Sequence, residues 1–435
     1  MKIIKLKNIE KSKLIKIKQR SFRNNNDISS VVNNTLSQVK KNKDKLIIEK
    51  YEKRFGKGNY SIAVSKNEIK NAYKNIDKKY LRAINQAIKN IKTVSKYQFA
   101  NLKEVSIETS KGIKLWREWR PIEKVGLYIP GGKAIYPSSV LMTGIPAVIA
   151  GCKEIIICSP PNKEGKIPNP ILVAVDMISI KKIYKVGGVE AIGAMSYGTE
   201  TIPKVYKIYG AGNSYVTEAK MQVFGEVDID MPAGPSEVFI IADELANPSF
   251  IAADLLADGE HGEDSACVLL TTSERLANEV NKEITKQLKT VSTADRIKKS
   301  LKNYGLLGLV DSVDEAIDFC NDYAPEHLEI MTKNSERLVS KVTNAGSVFL
   351  GSWTTKSAGD YATGANHVLP TGGMAKIFPP LSVGSFGKMM EIQKVSSKNA
   401  LKRIRDTIET LAEIEGLPAH KNSSSIRFQT KRGEK

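Results

Sequence analysis

The sequence predicts an α/β protein made of two incomplete Rossmann-like parallel-sheet domains, with small helical or extended segments at its N- and C-terminal ends. Three observations predict this. Short β-branched runs alternate with amphipathic stretches from Val125 to about Phe349. Gly/Pro turns such as IPGG and MPAGP separate them, an order that belongs to parallel strands joined by helical crossovers. The chain has 435 residues, more than one ordinary hydrophobic core serves.

The elements follow in order. Across NDISSVVNNTLSQVKKNKDKLIIEKYEKRFG, apolar residues recur every three or four positions, which predicts a helix stopping at Gly56. KNEIKNAYKNIDKKYLRAINQAIKNIKTVSKYQ reads as a further helical stretch. The texture changes at VGLYIPGG, residues 125–132. Beyond it SSVLMTGIPAVIAGC, KEIIICSPP, NPILVAVDMIS and KKIYKVGG alternate between helix and strand patterns. From Glu237 a second α/β stretch begins: SFIAADLLADGEH and SERLANEVNKEITKQLKTV supply helices, while SACVLLTT, YGLLGLV and GSVFLGS supply strands. A long Gly-rich passage, KSAGDYATGANHVLPTGGMAKIFPPLSVGSF, is too polar and broken for core, and long irregular segments in compact proteins tend to carry function. A helix, SSKNALKRIRDTIETLAEIEG, and the tail LPAHKNSSSIRF close the chain.

Composition excludes several classes. The net charge of +19 invites a nucleic-acid reading, but the lysines are spread along the chain and aromatics make up only 7%. With no RNA-binding or zinc-finger pattern, the surplus reads as a solvated surface, and a nucleic-acid partner is not expected. No run approaches the roughly 18 apolar residues of a membrane helix, so no membrane partner is expected either. The basic N-terminus lacks an apolar core and a cleavage site, which reads as part of the mature fold. Cys152, Cys158, Cys267 and Cys320 form no CxxC pair and read as small buried hydrophobes in a reducing compartment.

The four histidines all follow residue 260, each in a polar or Gly/Pro-rich setting. Histidine is the commonest metal ligand and a frequent general base. Asp258 and His261 are spaced i, i+3 at a predicted helix end, so both can serve one metal, although such a histidine would equally cap free carbonyls. Asp360, in the Gly-rich passage, offers a carboxylate, and His420 lies in the tail; zinc accepts such oxygen and nitrogen donors together. Glu326 and His327 follow Pro325 at the mouth of the apparent strand HLEIMT. Neighbours on a strand point apart, so a shared site requires a bend there. A Glu–His pair suits general acid–base work. His367 stands in the same Gly-rich passage as Asp360. Cofactor signals are softer: GxGxxG is absent, but Gly210 and Gly212 sit between a predicted strand and helix, where amides can face a phosphate.

VGLYIPGG, DMPAGPSEV, PEHLEI, SAGDYATGANHVLPT and EGLPAHKN together resemble the motifs of the histidinol dehydrogenase family, in order and over nearly the whole chain. The resemblance implies oxidation of L-histidinol to L-histidine through histidinaldehyde, with two NAD reduced. It implies Glu326 and His327 as the catalytic acid–base pair, and one Zn2+ per subunit on Asp258, His261, Asp360 and His420. Substrate contacts fall on Ser236, Asp258, His261, His327, Asp360, His367, Glu415 and His420. NAD contacts fall on Tyr128, Glu190 and Asn213. It also implies a cytoplasmic homodimer whose exchanged tail brings Glu415 and His420 to the partner's site. The corresponding domains are an N-terminal segment (1–26), a discontinuous first α/β domain (27–124 with 237–380), an NAD-binding α/β domain (125–236) and a dimerisation tail (381–435).

The family carries Gln where this chain has Asp258 and Glu190, and tends to carry Pro where it has Ala211. Asp258 adds a negative charge to the expected zinc shell. Glu190, when ionised, cannot donate a hydrogen bond to the cofactor. The alternatives are a paralogous zinc- and NAD-dependent dehydrogenase for another polar alcohol, such as a sulfonated diol, and, in a different class, an RNA-binding protein without catalysis.

Overall fold

The computed structural model describes residues 1–18, 26–56, 58, 60–102, 105–132 and 134–429, so parts of the 1–26 and 381–435 segments lie outside the described residues. The chain divides into two units, Met1–Phe99 with Ile122–Phe386 and Ala100–Pro121 with Gly387–Lys435.

The first unit begins with β1 (Ile3–Lys5), α1 (Lys11–Lys18) and α2 (Asn26–Phe55). Val32, Leu36, Val39, Ile47 and Tyr51 of α2 point inward, and Gly56, with φ 64°, stops the helix as expected. The helix bends at Lys43 (φ 48°), and the Asp44 N–H released there donates to Glu200 Oε2 over 3.1 Å. The following helical stretch is two helices rather than one, α3 (Lys66–Lys74) and α4 (Lys78–Ala100). Ser65 and Glu68 form a reciprocal capping box on α3, and Asp77 Oδ1 accepts the Lys79 N–H at 2.7 Å where α4 starts. Local bonding by Asp77 outcompetes a continuous helix.

After β2 (Ser106–Ser110) and β3 (Ile113–Pro121), which belong to the second unit, the chain lays down a parallel five-stranded sheet. Its elements are β4 (Lys124–Tyr128), α5 (Pro137–Ala150), β5 (Glu154–Ser159), α6 (Asn169–Met177), β6 (Lys182–Lys185), α7 (Gly188–Tyr197), β7 (Lys207–Tyr209), α8 (Ser214–Val223) and β8 (Asp228–Ile229). The spatial order is β6-β5-β4-β7-β8. The chain moves outward from β4 to β6, then returns to the other side of β4, which makes the β4/β7 boundary a topological switch point. The inward face of α2 packs into this core with Tyr128, Ile156, Ile192 and Val216.

A parallel six-stranded sheet follows, in the order β1-β11-β10-β9-β12-β13. It comprises β9 (Glu237–Ala242), α9 (Pro248–Gly259), β10 (Ala266–Thr271), α10 (Glu274–Gln287), α11 (Ala294–Tyr304), β11 (Gly305–Leu309), α12 (Val313–Tyr323), β12 (His327–Met331), α13 (Ser335–Leu338) and β13 (Ser347–Leu350), with α14 (Lys356–Tyr361) next in the chain. Alternation divides β9 between two buried clusters: Val238 and Ile240 join Leu255 of α9 on one face, Phe239 and Ile241 join Phe319 and Tyr323 of α12 on the other. The register pairs His327 with Val238 and Glu329 with Ile240. His327 and Glu329 therefore share the face that α9 covers.

The second unit holds an antiparallel sheet that the β–α alternation did not anticipate. β14 (Gly387–Val395) pairs with β3 from Gly387↔Pro121 to Val395↔Ile113, and β2 lies on the far edge of β3. These strands are half-exposed and carry charges on both sides, so the sequence shows no clean apolar stripe. α15 (Lys398–Ile414), capped by Ser397, and α16 (Pro418–Ser425) complete it. No described helix is long and apolar enough to cross a membrane. None of the four cysteines is in a disulfide, and burial lifts the Cys152 and Cys267 thiols to about 12.

Candidate active site

The chain is turned before β12 by Ala324, which adopts the left-handed conformation (φ 52°) after α12. The Pro325 carbonyl accepts the Gly346 N–H at 2.8 Å and the Glu326 carbonyl accepts the Ser347 N–H at 2.9 Å. Gly346 is required here, since a Cβ would stand 2.5 Å from the Glu326 carbonyl oxygen. The bend expected at Pro325 brings both Glu326 and His327 inward, with His327 Nδ1 3.5 Å from Glu326 Oε2.

Glu237, at the amino end of β9, organises the pair. Its N–H donates to Glu326 Oε2 at 2.9 Å, and its Oε2 accepts the Glu326 N–H at 3.3 Å. Its backbone carbonyl lies 2.9 Å from His327 Nδ1. A carbonyl only accepts, so Nδ1 carries the hydrogen and Nε2 of the neutral ring holds the lone pair. That Nε2 is buried without a hydrogen-bond partner, 3.7 Å from Asp360 Oδ1. Burial pushes the Glu326 carboxyl up to about 8, against the pull of His327. Burial works against the His327 cation, but Glu326 beside it carries the imidazole up to about 9.

α9 returns to the amino ends of the strands and there presents Asp254 and Asp258, one helical turn apart. Asp258 is fully buried, and the His261 N–H donates to its carbonyl over 3.2 Å. Across from them α14 places Lys356 and Asp360 at i, i+4. The Lys356 ammonium lies 2.5 Å from Asp258 Oδ1, 3.2 Å from Asp360 Oδ2 and 3.3 Å from His261 Nε2. Burial opposes the lysine charge, yet Asp258 and Asp360 hold its pKa above the usual lysine value. Burial also opposes the Asp360 charge, but His327 and Lys356 keep that carboxyl well below the usual carboxylate range. Beneath this cluster the Lys356 N–H donates to Glu329 Oε1 at 2.9 Å and the Thr355 hydroxyl to Asp254 Oδ1 at 2.6 Å. Burial raises the pKa of both Asp254 and Glu329.

The other expected residues fall as follows. His367 Nδ1 meets the Asp360 carbonyl at 3.1 Å, and its Nε2 lies 3.3 Å from the Ser139 hydroxyl of α5. Burial lowers its pKa, and that of His261. Ser236 is half-buried immediately before β9. Glu415 ends α15 and His420 lies in α16, both exposed in the second unit. Lys356, Glu237 and Glu329 escaped the sequence reading. The one available signal was a lysine four residues before Asp360, one helical turn away.

Three of the expected metal ligands, Asp258, His261 and Asp360, do converge, but the group at their meeting point is the Lys356 ammonium. Its contacts are hydrogen-bond lengths, longer than the ~2.0–2.2 Å of zinc bonds to nitrogen or oxygen. Among the described residues no group of three or more His, Cys, Asp or Glu is arranged to hold a metal ion. A divalent ion and an ammonium cannot share one point, so the residues as arranged do not fit zinc.

Tyr128, Glu190 and Asn213 all lie at carboxyl ends in the five-stranded sheet, where ligands of open α/β sheets bind. The Gly188 N–H donates to the Tyr128 hydroxyl at 3.2 Å, Lys50 pairs with Glu190, and Asn213 Oδ1 caps α8 by accepting the Val216 N–H at 3.1 Å. Gly210, with φ 115°, lets the turn after β7 close on β4: a Cβ there would stand 2.1 Å from the Tyr128 carbonyl oxygen. In placement, these residues fit a dinucleotide at the switch point.

The chain matches the histidinol dehydrogenase family model over residues 18–428. It is 47% identical over 430 residues to a histidinol dehydrogenase of Methanocaldococcus jannaschii, covering 99% of each chain. To that of Clostridium acetobutylicum it is 45% identical over 414 residues, covering 95% of each. A crystal structure of histidinol dehydrogenase from Elizabethkingia anophelis superposes with a TM-score of 0.91 at 43% identity, covering 98% of this chain and 97% of the other. With its fold, its Glu–His pair and these relatives in agreement, the chain belongs to the histidinol dehydrogenase family and is an oxidoreductase.

Proposed function

We propose that this chain oxidises L-histidinol to L-histidine by way of histidinaldehyde, using two NAD. The observation that carries the reading is the His327 ring, held with a free Nε2 beside Glu326. NAD supplies the hydride acceptor in each oxidation, bound near Tyr128, Glu190 and Asn213. In the first oxidation His327 Nε2 takes the hydroxyl proton as the carbinol carbon loses hydride. Glu326 then removes a proton from water as its oxygen adds to the aldehyde carbon, while the proton that His327 took passes to the aldehyde oxygen, giving the hydrate and a neutral imidazole again. In the second, His327 takes a hydrate hydroxyl proton as the same carbon loses hydride, leaving the carboxylic acid. Burial of the dyad excludes bulk water and helps retain the reactive aldehyde.

Ser236, Asp258, His261, His327, Asp360 and His367 are the substrate contacts of this reading. Glu415 and His420 join them from a tail exchanged in a cytoplasmic homodimer. The Glu190 carboxylate, held by Lys50, serves the cofactor as an acceptor rather than a donor. No step passes through zinc, because three of its expected ligands hold Lys356.

The test is NADH formation by the purified chain with L-histidinol, with L-histidine identified by mass. Two NADH per histidinol are expected. Turnover of a sulfonated diol with none of histidinol would replace the substrate and keep the chemistry.

A further inference from the structure

Lys356 is rooted where it has little freedom. It is the first residue of α14, its N–H is held by Glu329 Oε1 at 2.9 Å, and its side chain is 2% exposed. An ammonium has three donors, and here each faces an acceptor: Asp258 Oδ1 at 2.5 Å, Asp360 Oδ2 at 3.2 Å and His261 Nε2 at 3.3 Å. Two carboxylates and an imidazole brought from α9, the turn after it and α14 are a donor set of the kind that binds a divalent ion. In this chain the set closes around a covalently attached cation.

Asp258 and Asp360 would otherwise leave two buried carboxylates facing one vacated position, a destabilising arrangement that either a lysine or a metal can relieve. A metal could enter only when Lys356 swings out into other surroundings, leaving its burial and all three contacts. We propose that the Lys356 ammonium is the resident cation of this site, taking the place of a divalent metal and acting as a positioning residue for Asp258, His261 and Asp360. The assignment rests on the proposed active site for its importance, but not on the identity of the substrate.

The test compares zinc uptake by the full-length wild-type chain and by Lys356→Met, which keeps the side-chain bulk and removes the charge. Both are stripped with chelator, titrated with zinc against a chromophoric competitor, and assayed for bound metal. If the lysine fills the site about 99% of the time, wild-type affinity is reduced about 100-fold, so Lys356→Met binds one zinc per chain at least that much more tightly. Equal and tight binding of one zinc per chain by both overturns the proposal. Should Lys356→Met lose its cooperative melt, wild-type uptake decides alone. One equivalent retained from low-micromolar zinc overturns the assignment, and none retained supports it. NADH formation from histidinol by the stripped wild type is read in parallel. A failure of turnover that added zinc does not restore rejects the substrate reading and not the cation, whereas turnover restored by zinc overturns the cation.

Discussion

His327 Nδ1 lies 2.9 Å from the backbone carbonyl of Glu237, and this one contact leaves the opposite ring nitrogen, Nε2, to serve as the base of the proposed mechanism. A main-chain acceptor has no rotamers and does not titrate, so the tautomer is built into the pairing of β9 with β12. Replacing His327 by Asn should lower kcat about 10²–10⁴-fold, the usual range for losing a general base, with an unchanged melting transition. Single-turnover NADH formation checks this. A kcat within a factor of a few of wild type would remove His327 from the chemistry.

In the proposed mechanism Glu326 acts on water rather than on the alcohol, so Glu326→Gln should divide the two oxidations. With histidinaldehyde supplied directly, turnover should fall about 10²–10⁴-fold, while the first oxidation, followed in single turnover, should suffer much less. Equal losses in both halves would place Glu326 in a common step instead.

The pH dependence has a definite sign. In the proposed mechanism His327 works as a neutral base, and its proton is held up to about 9 by Glu326. Below that value the active form is a minority that falls about tenfold per pH unit, so kcat/KM should rise with pH and level near 9. A flat profile between neutral pH and 9 would show that the imidazole is already free.

Stability rests partly on a buried ion pair beside the five-stranded sheet. The ammonium of Lys220 pairs with Asp230, both 1% exposed, and also donates to the Gly210 and Met231 carbonyls at 2.9 Å each. Lys220→Met strands a buried carboxylate and should cost about 3–5 kcal/mol in calorimetric or denaturant unfolding. Because Gly210 belongs to the turn at the switch point, the KM for NAD should also rise. A loss below about 1 kcal/mol would mean that Asp230 finds another partner.

The alternation of β-branched runs with amphipathic stretches was enough to read the two parallel sheets, and Gly56 to end α2, because those signals are local. The α3–α4 boundary was missed because Asp77 acts through one side-chain bond inside a run that otherwise keeps helical spacing. The β3–β14 sheet was missed for a different reason: its partners lie far apart in the chain and neither strand carries a clean apolar face. Within the site, Glu326, His327, Asp258 and Asp360 stood out by residue type. Lys356 did not, since a lysine in a Lys-rich chain reads as surface until its burial is seen.

By itself the sequence determined the parallel α/β class and the family, and it set Glu326 beside His327, because those signals lie in residue type, motif and near-neighbour spacing. Only the tertiary structure decided which hydrogen His327 carries and which cation sits between Asp258 and Asp360. Both depend on atoms from separate elements meeting within hydrogen-bond reach, and short-range bonding and desolvation act on those distances, not on positions along the chain.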